Sequence, residues 1–143
     1  MSTKNKRYKL TEAQIKYFFG ACESLVQTLA PNFAVHREVK EFKKTIPYFA
    51  EAGISMTGCT NEVTFTISRD WPESPSDKKL FLVAYHEVLH VLLYPLSDLL
   101  DSKYDSDYVN RLEHNIIYAL ERFMGESIQE REGGNLVVNK RIP

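Results

Sequence analysis

The chain reads as an α+β fold, and three observations carry that reading. Long stretches with apolar residues at helical spacing stand at the start, middle and end of the chain. Between the first two lies a pair of short segments in strict two-residue alternation. At 143 residues, 43% apolar and 26% charged, the chain has the length and composition of one globular domain rather than a disordered or repetitive one. The expected layout is an N-terminal helix, a small, mostly antiparallel sheet, a second apolar helix and a following C-terminal helix. Residues 1–9 are expected to be a mobile basic leader and 10–143 a single domain.

The first helix is expected from Thr11 to Ala30. Thr11 followed by Gln14 is a capping box. Ile15, Phe18, Phe19, Cys22, Leu25, Val26 and Leu29 then recur on one face, and Pro31 stops the run. Phe33–Val39 is expected to be a strand, and 40–52, which contains Pro47, a strand or irregular. Ile54–Met56 and Val63–Ile67 alternate as two strands of a hairpin, with Gly58 and Asn61 suited to the connection. Asp70–Asp77 is rich in Pro and Ser and reads as a loop.

Ser76 or Asp77 caps a second helix that is expected to end near Tyr94, because Pro95 follows. Leu96–Asp107 reads as a polar linker. A third helix is expected from Tyr108 to Met124, with Gly125 at its end, and Leu136–Val138 as an edge strand or docking segment.

Charge and cysteine content narrow the classes. The net charge of -1 gives no field that invites nucleic acid or an anionic membrane. Cys22 and Cys59 are too few for a disulfide framework, and no CxxC pair offers a thiolate metal site. The basic start lacks a following apolar stretch, and the run Leu80–Leu96 carries His86, Glu87 and His90 at its centre. The expectation is a soluble, cytoplasmic protein without a membrane or nucleic-acid partner.

The chemistry concentrates at His86-Glu87-Val88-Leu89-His90, an HExxH motif. Histidines four apart on a helix share a face. Their imidazoles can then hold one cation, for which Zn²⁺ is the expected identity. Glu87, turned about 100° from His86, can act on a water there without ligating. The flanks Leu80–Ala84 and Val91–Leu93 are apolar nearly all the way round, so the helix is buried and its polar groups must be satisfied. Core histidines bonded to backbone or carboxylates are the alternative.

A third ligand is required. On a helical wheel of the third helix, the apolar residues average near Ile116 and Val109. Glu113 lies roughly 50° from that direction, and His114 roughly 150° away on a polar face with Glu121. Glu113 is the expected ligand and His114 the alternative. A buried salt bridge from Glu113 to Arg111 or Lys79 is the structural reading.

HExxH on an apolar helix, followed by a helix bearing Glu113, resembles the zinc metallopeptidases called zincins, in their gluzincin branch. The chain is similar to minimal zincins encoded by phages and to IrrE-like metallopeptidases, over about 33–124. That resemblance implies a sheet edge lining a substrate cleft. Val91–Leu96 lacks the glycine and third histidine of a metzincin. Leu96 stands where three-histidine endoribonuclease-like proteins have their last ligand. Around Glu113 only the glutamate of an NExxSD motif is present.

The implied activity is hydrolysis of peptide bonds in a protein or peptide substrate, such as a regulatory protein. Zn²⁺ is held by His86, His90 and Glu113, and Glu87 is the catalytic base. Tyr94, four residues past His90, is the favoured oxyanion donor, with Tyr104, Tyr108 and His114 open. Asp98 and Asp101 are candidates to orient a ligand ring or to cap the helix. His36 is expected on an exposed strand. A non-catalytic zinc-containing binding or assembly module is the competing function.

Overall fold

A computed structural model describes residues 7–41, 52–57, 60–130 and 136–138. The elements, in order, are β1 (Tyr8–Lys9), α1 (Glu12–Leu29), β2 (Ala34–Lys40), β3 (Ala52–Thr57), β4 (Glu62–Ser68), β5 (Asp70–Trp71), α2 (Asp77–Asp101), α3 (Ser106–Ser127), β6 (Ile128–Glu130) and β7 (Leu136–Val138). The α+β layout expected from the sequence is the one observed.

α1 begins where the capping box puts it. The Thr11 hydroxyl accepts from Gln14 N at 3.2 Å, and the Gln14 side chain accepts from Thr11 N at 3.0 Å. Its apolar stripe, Ile15, Phe18, Phe19, Cys22 and Val26, is buried.

The main sheet has the order β2-β4-β3. β3 and β4 form the expected antiparallel hairpin, with Ile54 opposite Phe65. Asn61 turns it with φ 51°, a left-handed conformation that asparagine tolerates. β2 joins the other edge of β4 in parallel, Val35 opposite Val63. Among the described residues, three of the four strand pairings are antiparallel and this one is parallel. β3, antiparallel to β4 on its opposite edge, runs back between the two and so lets β4 run parallel to β2. The ambiguous stretch 40–52 lies mostly between β2 and β3, outside the described residues.

Central β4 buries Val63, Phe65 and Ile67 completely. They meet Phe18, Phe19, Cys22 and Val26 of α1 and Leu80, Ala84, Val88 and Val91 of α2 in one core. Burying side chains of this size stabilises the fold by about 1.5–3 kcal/mol each. By length and composition alone α2 could cross a membrane; here Leu80, Ala84, Val88 and Val91 are buried against the core, while Leu92, Leu96 and Leu99 are exposed.

Three differences from the sequence reading have local causes. The leader was expected to run to Lys9, but Tyr8–Lys9 pairs with β5, and Lys9 Nζ lies 2.9 Å from the buried Asp70 carboxylate. α2 starts after Ser76, whose hydroxyl accepts from Lys79 N, but it does not stop at Tyr94. It runs through Pro95 to Asp101. A proline in a helix removes one backbone hydrogen bond and does not by itself end the helix. The expected linker 96–107 is thereby reduced to the turn at 102–105. α3 starts at Ser106 rather than Tyr108, because the Asp105 carboxylate accepts from Asp107 N at 3.0 Å and Tyr108 N at 3.2 Å. The expected terminal strand is β7, paired with β6.

Candidate metal centre

α2 carries three distinct faces. Leu80, Ala84, Val88 and Val91 face the main core, while Tyr85 and Leu89 form a smaller cluster with Ile117 of α3. His86 and His90 occupy a third face, toward α3. Glu87 falls between that face and the core, as its rotation of about 100° from His86 requires; it is 8% exposed.

The tight turn at 102–105 folds α3 back along α2. Ile117 is fully buried in the seam. Glu113, His114 and Glu121 stand four before, three before and four after it, so all three share its side of the helix. His114 and Glu121 therefore do not sit on a polar face turned away from the core, as the wheel implied. They face α2.

Each histidine is held from behind. His86 Nδ1 donates to Glu121 Oε1 at 2.8 Å, and His90 Nδ1 to Glu113 Oε1 at 2.7 Å. His114 Nδ1 donates to the Asn110 carbonyl at 2.8 Å. These bonds put the ring proton on Nδ1 in the neutral imidazole and leave the lone pair on Nε2. Burial favours the neutral His90 ring and pushes its pKa below the ordinary value, against the opposing pull of Glu113.

The front nitrogens converge. His86 Nε2 and His90 Nε2 are 3.2 Å apart. The His114 ring lies 4.8 Å from the His90 ring and 5.8 Å from the His86 ring, centroid to centroid. Donor nitrogens of the three residues lie within 4.8 Å of one another, close enough to hold a metal ion. Two ligand nitrogens about 2.0–2.1 Å from a tetrahedral zinc are about 3.3–3.4 Å apart, close to the His86–His90 spacing. The donor set fits the cation, and the group that converges is His86, His90 and His114. Glu113, the ligand expected from the sequence, is placed on the far side of the His90 ring.

A cleft of about 490 Å³ opens beside this cluster, lined by Ala52, Leu82, Val83, His86, Glu87, Tyr118, Glu121 and Arg122, with Lys79 at its side. Burial, and secondarily the Glu121 charge, push the Glu87 carboxyl up to about 7. Tyr118 sits over both the His86 and His114 rings, 6.0 and 5.8 Å between centroids.

The other candidates lie elsewhere. Tyr94 is half-buried on α2 and is not part of the cleft lining. Tyr104 and Tyr108 lie side by side with tilted rings, exposed, at the α2–α3 corner. Asp98 and Asp101 are exposed near the end of α2. His36 is exposed on β2, its Nε2 3.6 Å from Glu62.

Sequence reasoning passed over Glu121 as a partner of His86 and did not consider Tyr118. The signal for Glu121 was its place four residues after Ile117, and for Tyr118 its place four residues after His114. No protein-family model, curated protein or solved structure matches this chain.

Proposed function

We propose that the chain is a zinc-dependent hydrolase that cleaves peptide bonds in a protein substrate, with His86, His90 and His114 as the metal ligands. The observation that carries this reading is the arrangement of the three imidazoles. Each Nδ1 is engaged, two of them by carboxylates, one ring nitrogen from each of the three histidines lies within 4.8 Å of the others, and His86 lines an open cleft together with the buried Glu87. A carboxylate behind a ligand histidine orients the ring and raises its basicity. Zinc, when bound there, polarises the scissile carbonyl and makes a water acidic enough to react near neutral pH.

The chain's own groups supply the rest. Glu87 takes the proton of the attacking water and returns it to the leaving amine. A carboxyl held near 7 suits both halves of that transfer. Tyr118, whose ring stands at the cleft, replaces Tyr94 as the favoured donor to the developing oxyanion. Ala52 opens edge strand β3 onto the same cleft, where an extended peptide could pair with the strand. The zincin resemblance supports this reading through HExxH, with His114 standing where a glutamate was expected.

The test pairs metal content with turnover. Glu87→Gln retains zinc and loses hydrolysis of an unfolded, dye-labelled protein, whereas His86→Ala loses both. Wild-type protein that holds zinc at one equivalent and cleaves no such substrate would establish the binding-module function instead.

A further inference from the structure

We infer that docking of α3 onto α2 and occupation of the three-histidine site are one coupled equilibrium, so that zinc works as a clamp on α3. The inference rests on the ligand set proposed above and concerns what holds that site together.

α3 is anchored weakly by apolar contact. Among its described side chains, Val109 and Ile117 are buried, while Tyr108, Leu112, Ile116, Tyr118 and Phe123 are 38–53% exposed. Its shared cluster with α2 has three buried members, Tyr85, Leu89 and Ile117, against fourteen in the core that joins α1, β4 and α2. Segments with few buried contacts open at lower free energy than the rest of a domain.

Beside that small apolar cluster, against which Leu120 and Met124 also pack, the site itself joins α3 to α2 across the seam. α2 contributes His86 and His90. α3 contributes His114 and both backing carboxylates, Glu113 and Glu121. His86 Nε2 and His90 Nε2 approach to 3.2 Å, a spacing at which one cation can take both as ligands. A divalent cation held there also draws the third imidazole, from α3, toward it. Whatever binds only the docked form stabilises docking by mass action. The 102–105 turn lets α3 swing without disturbing the sheet. Most of a protein helix's stability comes from packing of its apolar face, so the amides of an undocked α3 lose protection.

Hydrogen exchange read by mass spectrometry on the full chain tests this, in excess chelator and with one equivalent of zinc, with binding followed separately by calorimetry. Zinc should slow exchange across 106–127 at least tenfold and leave α1 and β4 unchanged. In His114→Ala, residual zinc binding through His86 and His90 should no longer protect α3, while α1 and β4 keep wild-type protection. Stoichiometric zinc binding with unchanged α3 exchange would overturn the clamp and leave the ligand set standing. Equal protection of β4 and α3 would also overturn it, because the coupling would then be global. Absence of zinc binding would overturn both.

Discussion

His90 and Glu113 meet through the ring Nδ1 and one carboxylate oxygen at 2.7 Å, the shorter of the two histidine–carboxylate contacts that bridge α2 and α3. Glu113 thereby supports His90 from the side opposite the converging nitrogens. Its neighbour His114, a single residue on, points its ring into the cluster.

This geometry orders the effects of substitution on zinc affinity. His114→Ala removes a proposed ligand and should weaken binding by more than about 100-fold. Glu113→Gln keeps a hydrogen-bonding group behind His90 and should weaken binding by about 10–100-fold, the range for outer partners of ligand histidines. Competition titration against a chromogenic chelator reads both. A larger loss for Glu113→Gln than for His114→Ala would reverse the assignment.

Glu121 serves His86 and also opposes ionisation of Glu87. Glu121→Gln should therefore weaken zinc binding, again by about 10–100-fold. It should also shift the acidic limb of the turnover profile of the zinc-saturated enzyme to lower pH, since a nearby negative charge that holds the Glu87 carboxyl up is removed. An unmoved limb at full zinc loading would disconnect Glu121 from Glu87.

Tyr118→Phe removes one hydroxyl at the cleft. Loss of an oxyanion donor costs roughly 10²–10³-fold in turnover, so kcat should fall on that order with zinc content unchanged. Tyr94→Phe should leave kcat within about twofold. Equal effects of the two substitutions on kcat would remove Tyr118 from the chemistry.

Phe65 and Pro95 probe the frame. Phe65→Ala empties a fully buried position on central β4 and should cost about 3–5 kcal/mol in denaturant unfolding. Pro95→Ala restores an amide donor inside α2, where Pro95 is exposed, and should raise stability by about 1–3 kcal/mol. A destabilised Pro95→Ala would show that the helix needs the ring at this point.

Local signals were the legible part of the fold. The Thr11–Gln14 box, the alternation of Val63, Phe65 and Ile67, and the turn residue Asn61 each act within a few residues, and each is where the sequence places it. Continuation of α2 past Pro95 was not legible, since it depends on helix residues on both sides outweighing one missing hydrogen bond. The parallel partner of β4 was hidden too, because β2 is separated from it in sequence by β3, and such a pairing leaves no short-range signature.

The site divides in the same way. HExxH marks His86, Glu87 and His90 by spacing alone. The choice between Glu113 and His114 rested on the average direction of the apolar residues of α3. Leu112, Ile116 and Phe123 entered that average, yet they are 38–49% exposed. The packed face is marked by Ile117, and referring the wheel to that residue brings Glu113, His114 and Glu121 to the seam together.

X-ray absorption at the zinc edge of the loaded protein measures the ligand set most directly. The account predicts imidazole scattering from three nitrogens at about 2.0–2.1 Å, falling to two in His114→Ala and staying at three in Glu113→Gln. Two imidazoles in the wild type, unaltered by His114→Ala, would contradict it.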